Sequence, residues 1–100
     1  MIRHIVLFSA KDKSDLPRIH QALSRLREIP HVRHFEVAYN SHHDALSREV
    51  DLIVYGEFDS FAQLDAYKAH PAYQAAVDIV RPLRELRIAA DYEIPGKRSR

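Results

Sequence analysis

Tyr67-Lys68-Ala69-His70-Pro71-Ala72-Tyr73 is the stretch on which the architecture turns. Proline at 71 pushes the residue before it out of helical geometry, yet its fixed φ suits the first position of a new helix. The spacing therefore predicts one helix that stops at His70 and another that starts at Pro71. Tyr67 sits one turn before the break and Tyr73 one turn after. Three side chains able to exchange protons or hydrogen bonds gather at a single corner.

Outward from that corner, strands and amphipathic helices follow one another. Ser60 and Gln63 fit a capping box, with Phe61, Leu64 and Tyr67 then at helical spacing. Beyond Pro71, Tyr73, Ala76, Val77 and Val80 share a face until Pro82. An earlier helix, capped by Ser14 or Asp15 and tolerant of Pro17 in its first turn, repeats Leu16, Ile19, Leu23 and Leu26 to about Ile29. Strands are predicted over Ile2–Ala10, about Val32–Asn40, about Glu49–Phe58 and about Glu85–Ile94. The first turns Ile2, His4, Val6 and Phe8 to one face and Arg3, Ile5, Leu7 and Ser9 to the other. Gly56, inside the third, marks either a bulge or a close backbone approach. In the last, Leu86, Ile88, Ala90 and Tyr92 alternate with Arg87, Ala89, Asp91 and Glu93.

The order is strand, helix, strand, strand, broken helix, strand. That is the split βαβ pattern of an α+β, ferredoxin-like βαββαβ domain. Two helices cover one face of such a sheet. The other would carry Ile5, Leu7, Ile53, Tyr55, Ile88, Ala90 and Tyr92, too apolar a set to leave wet. Each large apolar side chain gains roughly 1.5–3 kcal/mol on full burial. A second copy of the same sheet is the simplest cover, since isologous dimers are the commonest oligomers. The expectation is a homodimer joined through those residues.

Length and composition narrow the function classes. One hundred residues make one domain, and a net charge of +1 lacks the basic stripe that nucleic acid would require. The basic run Gly96-Lys97-Arg98-Ser99-Arg100 reads as a solvated tail, so the domain is expected over 1–94 and a flexible tail over 95–100. Cysteine is absent, which excludes disulfides, thiolate nucleophiles and zinc–thiolate sites. The apolar start is too short to span a membrane and lacks a cleavage pattern, so a cytoplasmic protein without a membrane partner is expected. The only glycines are Gly56 and Gly96, so there is no phosphate-cradling loop and no nucleotide cofactor is expected. His42-His43-Asp44 and His31-x-x-His34 invite a metal reading. Adjacent loop histidines diverge, however, and a site needs three or four converging ligands, so no metal and no other cofactor is expected.

Several residues carry candidate chemistry, each with a plainer explanation beside it. His4 falls on the face the helices cover. It is either a buried histidine holding a backbone carbonyl or an imidazole lining a pocket as proton donor or acceptor. Tyr67 is either a core aromatic or a hydroxyl that donates to a developing oxyanion. His70 suits a helix end, and could alternatively reach the pocket as a proton carrier. Asp91 either pairs with a nearby arginine or orients an imidazole. The expected pocket walls are Val6, Phe8, Ile19, Leu23, Phe35, Val54, Tyr73 and Val77, enclosing a small apolar or carbonyl-containing ligand.

Taken together, Ile2-Arg3-His4-Ile5-Val6-Leu7-Phe8, Glu57-Phe58-Asp59-Ser60, Tyr67-x-x-His70-Pro71-Ala72 and Asp91-Tyr92 resemble the stress-responsive A/B barrel (Dabb) family over about residues 1–94. The resemblance implies a dimeric α+β barrel with a helix–sheet pocket in each subunit. It also implies either a cofactor-free lyase, cyclase or isomerase or a non-catalytic stress-related dimer. In a plant polyketide cyclase of the family, a tyrosine and a histidine move the protons of ring closure. By position the tyrosine matches Tyr67, and a pocket histidine on the first strand matches His4. The catalytic histidine falls on Tyr73, and a further pocket histidine falls on Leu52. These departures imply that the chain does not close the plant enzyme's tetraketide ring and, if an enzyme, takes a smaller carbonyl compound.

Overall fold

A computed structural model describes residues 1–94; the basic segment 95–100 lies outside the described residues. The elements are β1 (Ile2–Ala10), α1 (Leu16–Ser24), β2 (His34–Tyr39), β3 (Leu52–Phe58), α2 (Phe61–Ala69), α3 (Pro71–Val80) and β4 (Arg84–Glu93). The strands form one antiparallel sheet in the order β2-β3-β1-β4. This is the ferredoxin-like α+β fold. The second helix breaks at the expected corner: His70 is extended, with φ −69° and ψ 141°, and serves both as the end of α2 and as the cap of α3.

Several boundaries differ from the sequence reading, each for a local reason. Asp15, one of the two expected residues, occupies the N-cap position of α1, but its side chain makes no capping hydrogen bond. Asp12 takes the Ser14 N–H instead and opens a 3-10 turn over Lys13–Asp15 that leads into α1. The helix also fails to run to Ile29 as one piece. The Ser24 hydroxyl donates to the His20 carbonyl at 2.8 Å, and the chain tightens into a 3-10 turn over Arg25–Glu28. Ile29 is then extended, as the residue before a proline prefers. At the start of β3, the Asn40 side-chain amide donates to the carbonyls of Ser47 and Val50, so the strand begins at Leu52 rather than Glu49. Only half of the capping box closes. Ser60 Oγ accepts the Gln63 N–H, while the Gln63 side chain pairs with His31 instead.

The helices lie on the face that carries Ile2, His4, Val6 and Phe8 of β1 and Leu52, Val54 and Phe58 of β3, all buried. Ile19, Leu23, Leu26, Ile29, Leu64, Tyr67 and Val80 close the core from above. Phe61 departs from its expected stripe and is half exposed. No bulge occurs at Gly56, because the β1–β3 register runs unbroken through His4↔Gly56. A Cβ there would come within 3.0 Å of the Phe58 ring, so the glycine makes room for that ring. The irregularity falls elsewhere, between Phe8 and Ala10 against β4.

On the opposite face Ile5, Leu7, Ile53 and Tyr55 are partly buried by their neighbours in the sheet, and Ala90 is exposed. Ile88 and Tyr92 are 53% and 43% exposed, so this face has no cover among the described residues. Its polar groups include Arg3, Glu57, His34 and Glu36, which the register places on the same side as Tyr55. Arg3 donates to the Tyr92 hydroxyl at 3.1 Å, and Tyr55 donates to Glu57 at 2.6 Å, which pushes the Tyr55 phenol up to about 12. The Arg3 Nε is buried without a partner among the described residues.

Candidate functional site

Strand register assembles the centre of the site. His4 of β1 stands directly across from Asp91 of β4, so both side chains project to the helix-covered side of the sheet. The His4 Nδ1 is hydrogen-bonded to a carboxylate oxygen of Asp91. A carboxylate can only accept, so Nδ1 carries the proton and Nε2 keeps its lone pair. His4 is almost fully buried, whereas the Asp91 side chain retains 29% exposure at the sheet edge. Burial pulls the imidazole below its ordinary value of 6.5, against the upward pull of Asp91. Near neutral pH the ring is therefore uncharged.

Tyr67 comes from α2, one turn before the proline break, and packs edge-on against His4 with ring centroids 6.3 Å apart. Phe58 and Tyr73 hold it at centroid distances of 4.8 and 5.2 Å. Its hydroxyl makes no hydrogen bond among the described residues. The one side-chain polar atom there both buried and unpartnered is Arg3 Nε, so the Tyr67 oxygen keeps open space beside it. Burial raises its pKa well above the ordinary phenol value, and the group stays protonated.

His4 and Tyr67 border a cavity of about 220 Å³. Val6, Phe8, Leu23, Val54, Tyr73 and Val77 supply its walls, and the lining as a whole draws on β1, β3, β4 and all three helices. Three expected residues lie elsewhere. Ile19 is fully buried in the core beneath α1. Phe35 sits on β2 beside Gly56, with the Arg27 guanidinium 6.0 Å from its ring. His70 does not line the cavity; its Nδ1 accepts the Ala72 N–H at 3.0 Å and caps α3, with its ring edge-on to His31. Among the described residues no three His, Asp or Glu side chains converge as a metal-binding group.

The sequence reading passed over Arg81, Arg84 and Arg87, which complete the lining. A readable signal existed for Arg87, which alternates in step with Asp91 and so belongs on the inward face of the last strand. Nothing in spacing alone brings Arg81, at the end of α3, to the same cavity.

Comparison with known proteins follows from this geometry. The profile of the Stress responsive A/B Barrel Domain, Dabb, matches residues 2–94. No curated protein matches the chain. A Dabb family protein with a ferredoxin-like fold from Mesorhizobium loti is 29% identical, with 95% of this chain and 97% of that one covered and a TM-score of 0.80. A dimeric ferredoxin-like protein of unknown function from Thermobifida fusca is 27% identical over 93% and 90% of the two chains, also at 0.80. A hydroxynitrile lyase from Passiflora edulis, at 17% identity, coverage of 98% and 96% and a TM-score of 0.79, shares the fold.

Proposed function

Since the chain belongs to the stress responsive A/B barrel domain family, we propose that it is a homodimer whose helix–sheet cavity moves a proton on a small carbonyl compound, with no cofactor. The observation that carries this reading is the Asp91–His4 pair at the edge of the cavity. Asp91 orients the imidazole and fixes its tautomer, which leaves Nε2 as general base toward a bound ligand. Tyr67, protonated and without a partner of its own, donates to the carbonyl oxygen as negative charge develops there. Proton removal next to a carbonyl needs both roles, and this chain's own side chains supply them.

The cavity volume of about 220 Å³ favours a compact ligand over a long polyketide, in line with the tyrosine at position 73. A phenol is a poor base near neutral pH, so Tyr73 does not replace a histidine as proton acceptor. Dimerisation would place Ile5, Leu7, Ile53, Tyr55, Ile88, Ala90 and Tyr92 against the same residues of a partner, and the Thermobifida fusca relative is itself dimeric.

The test is α-proton exchange in heavy water, followed by NMR, with a panel of small ketones and aldehydes. Enhanced exchange that falls by about 10²–10⁴ in His4→Gln supports a general base. Exchange no faster than in buffer across the panel, or an unchanged rate in His4→Gln, would favour a non-catalytic ligand-binding dimer.

A further inference from the structure

Arg81, Arg84 and Arg87 all line the cavity, and Arg81 and Arg87 lie close enough to Arg84 to act on its charge. Arg81 ends α3, where a cation suits the exposed carbonyls, and that location alone would explain it. Arg84 and Arg87 lie on β4, away from the helix, and have no such explanation. Among the described residues none of the three has a carboxylate within ion-pair distance. Residues 95–100 contain no Asp or Glu side chain. Arg87 has only a long contact, 3.5 Å, to the Tyr73 hydroxyl. Arg84 is half-buried, and burial together with Arg87 and Arg81 pulls its pKa down. Three like charges at the mouth of a largely apolar hole repel one another unless an anion joins them.

We infer that this arginine cluster binds the oxyanion end of the ligand, so that the substrate is a small carbonyl compound bearing a carboxylate or phosphate. The proposal deepens the proton-transfer reading and rests on it for the carbonyl; the oxyanion part stands on the arginines. Arg87 and Asp91 are four residues apart on the same face of β4, which puts their Cα atoms about 13 Å apart. With side chains reaching inward from both ends, the gap suits a molecule with its charge at one end and its acidic C–H a few atoms away. Guanidinium groups match either oxyanion through paired N–H donors. The field of Arg87 reaches both His4 and Tyr67, which it biases toward the neutral imidazole and the more acidic phenol. Burial is the main cause that keeps His4 neutral, with Arg87 a lesser one, so the substrate meets an unprotonated base.

Calorimetric titration with benzoate, phenyl phosphate and benzamide tests this, since the three share a ring and differ in the charged end. At least one anion is expected to bind ten-fold or more tighter than benzamide, and the preference should weaken as salt is raised. The tighter of the two anions identifies the oxyanion. Arg84→Gln with Arg87→Gln should abolish the preference and leave benzamide binding intact, while Arg→Lys at the same sites restores part of it. Retained benzamide binding and an unchanged melting curve show that the doubly substituted protein is folded. Equal affinity for all three, no saturable anion binding, or an anion preference that survives the double substitution would overturn the proposal. Anion binding without proton exchange would overturn only the proton-transfer reading, and exchange without anion preference only this one.

Discussion

Replacing Tyr67 by phenylalanine separates chemistry from packing. The ring keeps its contacts with Phe58, Tyr73 and His4, and only a hydroxyl without a hydrogen bond is removed. Losing a partnered hydroxyl would cost about 0.5–1.5 kcal/mol; an unpartnered one should cost less, or nothing. Truncation to alanine is a worse probe, because removing so large a buried side chain costs about 3–5 kcal/mol from a total stability of roughly 5–15. The rate should behave in the opposite way. Loss of one oxyanion donor typically slows a reaction by about 10²–10³, equivalent to about 2.7–4 kcal/mol in the barrier. Urea denaturation and α-proton exchange on the same samples give both quantities. The expected result is an unchanged midpoint and slope with exchange slowed at least a hundred-fold. A stability loss above about 1.5 kcal/mol would make the hydroxyl structural, and wild-type exchange in Tyr67→Phe would remove it from the mechanism.

Further perturbations address the interface, the corner and the dyad. Leu7→Asp puts a charge on the uncovered sheet face, so light scattering should find a folded monomer; a persistent dimer would refute the interface. His70→Ala removes the acceptor for the Ala72 N–H and should cost about 1 kcal/mol in denaturant melts, with His70→Asn costing less and neither slowing exchange. His4 is held below 6.5 in the folded state, so below about that pH the unfolded chain takes up the proton first, and stability should fall as pH falls until the folded value is reached. Exchange should lose its base through the same acid range. Asp91→Asn removes an influence that raises the His4 pKa, so the acid limb should move to lower pH while the plateau drops about 10²-fold or more.

Alternation and punctuation made the fold legible. Period-two patterns separated the two faces of β1, β3 and β4, and Pro71 announced a break that the structure places at His70. Ends were less legible, because they depend on side chains competing for backbone groups. Asn40 takes the carbonyls of Ser47 and Val50, and Ser24 turns back on His20, in ways that propensity does not anticipate. The site divides similarly. His4 and Tyr67 could be assigned to the covered side from periodicity and helical spacing. Pairing His4 with Asp91, however, needs the register between the first and last strands, which a sequence separation of 87 does not reveal. Convergence of Arg81 and Arg84 with Arg87 depends on how α3 descends onto β4. His70 looked chemical because histidine beside proline has two explanations, and its geometry satisfies the backbone one.

The most direct test of the central claim is the imidazole of His4 itself, observed by two-dimensional ¹⁵N NMR as pH is varied, with His4→Gln to assign it among the seven histidines. An Asp91-oriented base requires a neutral ring near pH 7 with the proton on Nδ1, an unprotonated Nε2 and a midpoint below 6.5. A proton on Nε2 at neutral pH, or an imidazolium that persists above 6.5, would contradict the account.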